Sequence, residues 1–287
     1  MTHTLYKLRD WISIKNLDWD CLSSNPKAIF LLEQNLDKIN WNRISSNPNA
    51  INLLEKNHNK INWDQLSSNS SAMHILMKNK KKINWDEFSK NTNPQAINIL
   101  TKNKSKINWF YLSSNPSAIK LLETNLDKID WYLILTNASA IHMIEDIITV
   151  NPYLTLDDSW NIKYVYSFLS TNKNAIHIIE KNPDKICWST LSKNSSAEII
   201  LKQNLNKVKW GALSLNPSCI DILEYNKNKI DWINISLNPE IFTINYDAIK
   251  KRIEPFVEEL MMKCYHPSRL ERLLFTYNYD IGNDIYI

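Results

Sequence analysis

Glycine is nearly missing from this chain: only Gly211 and Gly282 occur in 287 residues. Loops that cradle a phosphate need several glycines where the backbone approaches the ligand, so P-loop and dinucleotide-binding sites are excluded. Cysteine is also scarce. Cys21, Cys187, Cys219 and Cys264 stand too far apart for a metal-type pair, and they read as reduced thiols rather than a disulfide framework. No apolar run reaches the length of a membrane span, although 44% of the residues are hydrophobic. The opening MTHTLYKLRDWISIK lacks the apolar stretch of a secretory leader, so a cytoplasmic, non-secreted protein is expected. Neither charge sign dominates: 34 Lys and Arg against 30 Asp and Glu leave +4. There is no HExxH helix and no nucleophile–base set. Asp157 and Asp158 are adjacent, and neighbouring loop carboxylates rarely converge. The expectation is a protein without catalytic residues, metal or cofactor.

What the chain has is one stretch, written ten times. Its cleanest copy is INWNRISSNPNAINLLEKNHNK, from Ile39 to Lys60. Trp19, Trp41, Trp63 and Trp85 are 22 residues apart, Trp109 follows after 24, and Trp131 again after 22. After a longer interval Tyr166 takes the Trp place, and Trp188, Trp210 and Trp232 resume the period of 22. A fixed period in the twenties is the signature of a solenoid. We number the copies one to ten by these aromatic residues.

Each copy reads as two helical pieces. Asn47 is a preferred N-cap, able to accept from a backbone N–H two or three residues on, and Pro48 suits the first helical position. Ala50, Ile51, Leu53 and Leu54 then make one apolar face. The Ala place is held through Ala28, Ala72, Ala96, Ala118, Ala140, Ala175 and Ala197, with Cys219 in copy nine, so neighbouring helices can approach closely. Asn57 is expected to end that helix in a left-handed conformation, in the role glycine usually fills. Asn62 precedes Trp63 as a second N-cap, and Trp63 and Leu66, three apart, are expected to face the core from a short α- or 3-10 helix. The fold class predicted is an all-α solenoid, almost entirely helical and without a sheet. Residues 1–17 are expected to form a helical N-terminal cap, 18–239 the repeat solenoid with an irregular insertion at 146–165, and 240–287 a helical C-terminal cap with its second helix starting near Pro267.

The INWxxLSxNPxAIxLLExN unit resembles the Asn/Ile/Trp-rich tandem repeats of uncharacterised proteins from giant DNA viruses of the mimivirus type. The tail EELMMKCYHPSRLERLL resembles the ending of those proteins. The resemblance spans nearly the whole chain. It implies a viral protein of the host cytoplasm or the virion and no catalytic residues.

Lys38, Lys60, Lys82, Lys106, Lys128, Lys185, Lys207 and Lys229 occupy one place per copy and predict a row of positive charge along one edge. That edge could face an acidic partner or a nucleic-acid backbone. Equally, each lysine could offset the negative end of the preceding helix, with the recurring Glu33, Glu55, Glu123, Glu145, Glu180 and Glu224 as neutralising partners. The Trp series suits a repeating core better than a base-stacking platform. His74, His142 and His177 share one place, but equivalent positions in neighbouring copies lie about one helix spacing, 8–10 Å, apart, too far for a shared metal. The two residues after each Trp vary, as does the one after the recurrent Ile, and variation on a fixed frame suits recognition of a protein partner. Within the insertion, Tyr153 and Trp160 are too apolar for a plain linker and are candidate contact residues. Three readings follow: a non-enzymatic scaffold for protein–protein interaction, a structural component of a virion or virus factory, and nucleic-acid binding along the lysine edge. No membrane and no small-molecule substrate is indicated.

Overall fold

The computed structural model describes residues 5–150 and 162–277. It divides into two compact units, Leu8–Phe242 on the one hand and Met1–Lys7 with Thr243–Ile287 on the other. The first unit is the solenoid. Each copy supplies a short helix that begins at its aromatic residue, such as Trp63–Ser68, a second one after the Asn turn, such as Met73–Lys78, and a closing 3-10 turn, such as Lys80–Lys82. We call these the Trp helix, the Leu helix and the Lys turn.

The Trp helix starts where the sequence places its cap: Asn62 accepts from the Gln65 amide, as Asn40 does from that of Arg43. The Leu helix starts later than expected in most copies. The turn Pro48–Asn49 intervenes, and Ala50 stands at the N-cap. Only copy four, with its two extra residues, runs a continuous helix from Pro94 to Lys102 with Asn93 as cap. Asn57 does not adopt the left-handed conformation. At φ −124° and ψ 48° it ends the helix through its side chain, which donates to the Leu53 carbonyl at 2.9 Å. A side-chain amide does here what a left-handed glycine would otherwise do.

The core is drawn from the Trp helices, from up to three apolar residues of each Leu helix, from the Ala place and from the Ile that precedes most Trp helices. Leu22, Ile44, Leu66, Phe88 and Leu112 are fully buried, as are Leu32, Leu54, Leu76, Leu100 and Leu122. The tryptophans are not at its centre. Every repeat Trp is half-buried and forms the margin of the core.

What joins the copies is a ladder of buried asparagines. Asn47 sends both amide hydrogens to the preceding copy, to the carbonyls of Ser23 and Asn25, while its oxygen accepts from the Asn49 amide. Asn69, Asn91, Asn115, Asn137, Asn172, Asn194, Asn216 and Asn238 repeat this pattern at 2.9–3.1 Å. A second ladder runs beside it. Ser45 donates to the Trp41 carbonyl and accepts the Asn62 amide of the next copy. Buried polar groups of this kind are tolerated only because each is satisfied.

The ladder has no end. Asn25, in copy one, donates to the carbonyls of Ser236 and Asn238 in copy ten, both at 3.0 Å, and the Ser236 hydroxyl accepts the Asp18 amide. Lys27 pairs with Glu240 at 2.8 Å, and Phe30 meets the buried Phe242 edge to face. The solenoid is therefore a closed ring of ten copies. Trp helices of neighbouring copies pack directly on each other around much of it, whereas the Leu helices stand farther apart. In a closed ring the closer-spaced elements lie on the inner side, so the Trp helices line the inner circumference and the Leu helices splay outward.

Copy ten is built from both ends of the chain. After Asn238 it has no Leu helix; Ile241 fills the Ala place and is fully buried, since no helix follows to demand a small residue. The other half comes from the N-terminal segment. The turn Ile14–Asn16 and buried Leu17 stand in phase with Leu36–Lys38 and Ile39 of copy one, 22 residues on. Arg9 donates from its amide to the Ile241 carbonyl and from Nε to that of Glu240. Lys227 of copy nine lies 5.9 Å from the Trp11 ring, as a Lys turn would lie beside the next copy. Strand β1, Tyr6–Leu8, pairs with β2, Phe242–Ile244. This two-stranded sheet corrects the expectation of a chain without strands. The N-terminal segment is extended rather than helical because it completes a copy instead of covering an exposed face.

In the second unit, helices span Tyr246–Ile253, Val257–Cys264 and Pro267–Tyr277, with a 3-10 turn at Glu254–Phe256 where Pro255 interrupts.

Candidate functional site

All eight lysines of the predicted row lie on the Lys turns or, for Lys207, at the same place in a looser turn, and all are exposed. They are not a bare row of charge. The amines of Lys38, Lys82, Lys106, Lys185, Lys207 and Lys229 sit 4.2–5.3 Å from the ring centres of Trp19, Trp63, Trp85, Tyr166, Trp188 and Trp210, the aromatic residue of the same copy. Cation–π contact of this kind contributes about 0.5–1 kcal/mol at exposed sites. Lys128 instead lies 3.1 Å from Asp127. In these six copies the half-buried or buried aromatic residue thus has a lysine amine over its ring.

Three of the recurring glutamates pair with histidines. Glu55, Glu123 and Glu145 accept from His74, His142 and His177 of the following copy at 2.7–2.9 Å. These pairs are half-exposed and contribute little to stability. Among the described residues no group of His, Cys, Asp and Glu is arranged to hold a metal ion. Tyr153 and Trp160 lie outside the described residues.

Outward splay of the Leu helices opens grooves between neighbouring copies. One, of about 590 Å³, lies between copies three and four and is lined by Met77, Lys80, Lys81, Ile83, Trp85, Ile99, Lys102, Asn103 and Lys106. Another, of about 460 Å³, holds Cys187 with Lys163, Lys185, Trp188 and Lys209. Cys187 stands where most Trp helices have an Asn or Asp cap, as Lys209 does in copy nine. Burial alone would raise its pKa, but hydrogen bonding with Ser189, Thr190 and Ser167 outweighs it and brings the thiol down to about 7. Burial pushes Cys21 up to about 11 and Cys219 up to about 12.

Of the variable places, the first residue after Trp is exposed at Asp20, Asn42, Asp64, Asp86, Phe110, Ser189 and Ile233. Part of this surface serves the frame: Asn84 donates to Asp64 and Asn108 to Asp86, each at 3.0 Å. A run of exposed apolar residues lies in the second unit. Val257, Leu260 and Met261 share one face of the Val257–Cys264 helix, and all are exposed, as are Phe256, Leu273 and Phe275. No helix among the described residues is long and apolar enough to cross a membrane. Sequence reasoning singled out the lysines but missed their aromatic partners and missed the asparagine ladder. The signal for the ladder was present, since Asn69, Asn137, Asn172 and Asn194 persist where no proline follows to justify a helix start.

Compared with protein-family models, with curated proteins and with solved structures, the chain matches none.

Proposed function

We propose that this protein is a non-enzymatic scaffold that holds another protein. The observation that carries the reading is the exposed apolar face of the Val257–Cys264 helix, with Val257, Leu260 and Met261 at helical spacing. Large exposed apolar patches mark interaction sites, and a stripe at i, i+3 and i+4 is the form in which an amphipathic helix enters a partner's groove. The ring supports the same reading, since its polar ladders are occupied by the frame while the variable residue after each Trp is exposed in most copies. The lysine row supports a nucleic-acid edge less well, because six of its amines already lie on aromatic faces. The resemblance of the repeat to those of giant DNA viruses proposes the setting, the infected host cytoplasm or the virion, where such a scaffold would serve as an adaptor or a structural component.

The test is affinity purification of the tagged protein from infected cells beside the double variant Leu260→Glu, Met261→Glu. A protein partner recovered with the wild type and lost with the variant, at unchanged melting temperature, is expected. Recovery of nucleic acid alone, or of the same proteins with both forms, would refute the reading.

A further inference from the structure

We propose that the groove between copies three and four is a binding site for a compact organic polyphosphate, a small carbon body bearing three or more phosphoryl groups. From Lys78 to Lys106 there are eight lysines against Asp86 and Glu87, a net of +6 in a chain that sums to +4. The rest of the chain is thus slightly acidic, and the charge is concentrated in one sector of the ring.

The ring supplies its own internal comparison. Each Lys turn has three places, and the third is the lysine that recurs around the ring. In copies one, five and seven the turns read Leu36-Asp37-Lys38, Leu126-Asp127-Lys128 and Pro183-Asp184-Lys185, with an acid beside the lysine. In copy three the turn is Lys80-Lys81-Lys82, and in copy four it is Lys104-Ser105-Lys106. The same backbone accepts a neutral or acidic pair at these places, so the frame does not require the extra amines. Like charges so close repel one another, and their accumulation disfavours the fold unless a counter-charge compensates it.

These amines converge on a concave surface. Lys80 and Lys81 of copy three and Lys102 and Lys106 of copy four line one groove of about 590 Å³, a volume within the usual range for small-molecule sites. None of Lys80, Lys81 or Lys102 forms a salt bridge among the described residues. All four cations are lysines. A compact ammonium suits tetrahedral phosphoryl oxygens as a point charge, whereas recognition of planar carboxylates favours the arginine fork, and no arginine lines the groove. Met77 and Ile99 add an apolar floor that inorganic phosphate would not use and a carbon body would. Four of the eight lysines share this one concave groove, the Lys106 amine also lying over the Trp85 ring, and charge gathered at one concave site favours a compact ligand over a polymer that follows the ring. The site is independent of the proposed protein-binding helix, and either can fail without the other.

The test uses the full chain in about 150 mM salt, with inositol hexakisphosphate and ATP as compact probes and a single-stranded oligothymidylate as the polymer, read by calorimetry. The variant Lys80→Leu, Lys81→Asp gives copy three the turn that copies one and five already carry, so it keeps the fold. Lys102→Gln places in copy four the residue of the equivalent Gln34. Micromolar binding of at least one compact probe by the wild type is expected, weakened at least tenfold in the first variant and severalfold in the second. Lys207→Gln, on the far side of the ring, should leave it within twofold. No binding of either compact probe by the wild type overturns the proposal, as does equal binding by wild type and variants. Oligothymidylate binding more than tenfold tighter than both compact probes, and weakened as much by Lys207→Gln as by the groove variants, would replace it with a polymer edge.

Discussion

Closure of the ring can be tested at a single atom pair. Asn25 belongs to the first copy, so in an open solenoid its side-chain amide would have no preceding copy to reach. In the ring it donates to the Ser236 and Asn238 carbonyls at 3.0 Å and accepts the Lys27 amide at 3.0 Å, fully buried. Asn137, on the opposite side of the array, makes the same three bonds, to Ser113, Asn115 and the Ser139 amide. Truncation of either to alanine removes all three bonds; the Asn238 or Asn115 carbonyl keeps the Ile241 or Ala118 amide, whereas the Ser236 or Ser113 carbonyl and the part-buried Lys27 or Ser139 amide lose this partner. At about 1–3 kcal/mol for each buried group left unsatisfied, and with partial rescue by the carbonyls' second acceptor sites and by entering water, the net loss is about 3–5 kcal/mol. In an open array Asn137→Ala would still cost that amount. Asn25→Ala would then cost only what a helix-start cap is worth, about 1 kcal/mol. The assay is urea unfolding followed by Trp fluorescence, with the slope compared as well as the midpoint. Losses within about 1 kcal/mol of each other would support the ring, given the uncertainty of linear extrapolation. A loss near 1 kcal/mol for Asn25→Ala beside 3 or more for Asn137→Ala would refute closure.

Other expectations follow from the same geometry. Deletion of residues 1–17 removes the half-copy that carries buried Ile12 and Leu17; at about 1.5–3 kcal/mol for each buried side chain, plus the opened ladder, a loss above about 4 kcal/mol in a urea titration is expected. Trp63 is half-buried, so Trp63→Ala should cost about 1.5–3 kcal/mol, below the 3–5 of a fully buried aromatic, and Lys82→Ala about 0.5–1 through the lost cation–π contact; a loss of 4 or more for Trp63→Ala would place that ring in the core. Cys187 should be alkylated by iodoacetamide at a rate that rises with pH and is half-maximal near pH 7, because the thiolate forms above its lowered pKa of about 7. Cys21 and Cys219, buried and raised, should stay unmodified in the folded protein through pH 9, as mass mapping of the modified peptides would show.

Local structure was legible in the sequence because local chemistry repeats in it. The period, the two helical pieces per copy and the cap at Asn62 follow from residue types at fixed offsets. Even the acceptor role of Asn47 was visible. Its donor role was not, because an N-cap needs only the oxygen, and propensity says nothing about where the amide hydrogens point. The position of the tryptophans was misjudged for a related reason. Regular spacing with Leu three residues on marks a face, but it does not say whether the ring sits at the middle or the margin of that face. Closure is harder still, since curvature arises from small differences in packing between the inner and outer helices. One trace of it did exist: Ile14 to Leu17 stands in phase with Leu36 to Ile39 although no Trp helix of its own precedes it. An orphan half-copy at one end and a copy lacking its Leu helix at the other are complementary fragments.

Splitting one copy between the two chain ends changes what the remaining sequence variation means. An open solenoid must protect two terminal faces, so residues that depart from the repeat near its ends are expected to be caps. A ring has no such faces in its repeat array, and every copy has two neighbours that satisfy its asparagine ladder. The copy six to copy seven junction shows how little the frame constrains what lies between. Asn172 reaches the carbonyls of Leu135 and Asn137 at 2.9 and 3.1 Å although the separation along the chain is 35 residues or more. Extra sequence at a junction is compatible with an intact ladder so long as the next Asn returns to its place. Departures from the repeat in this protein are then not required by the fold's geometry. The lysines of copies three and four and the Cys187 cap are such departures within the ring. Because the ladder's own hydrogen-bonding groups are already used, the binding surfaces proposed above fall at such departures and on the helices that follow Phe242.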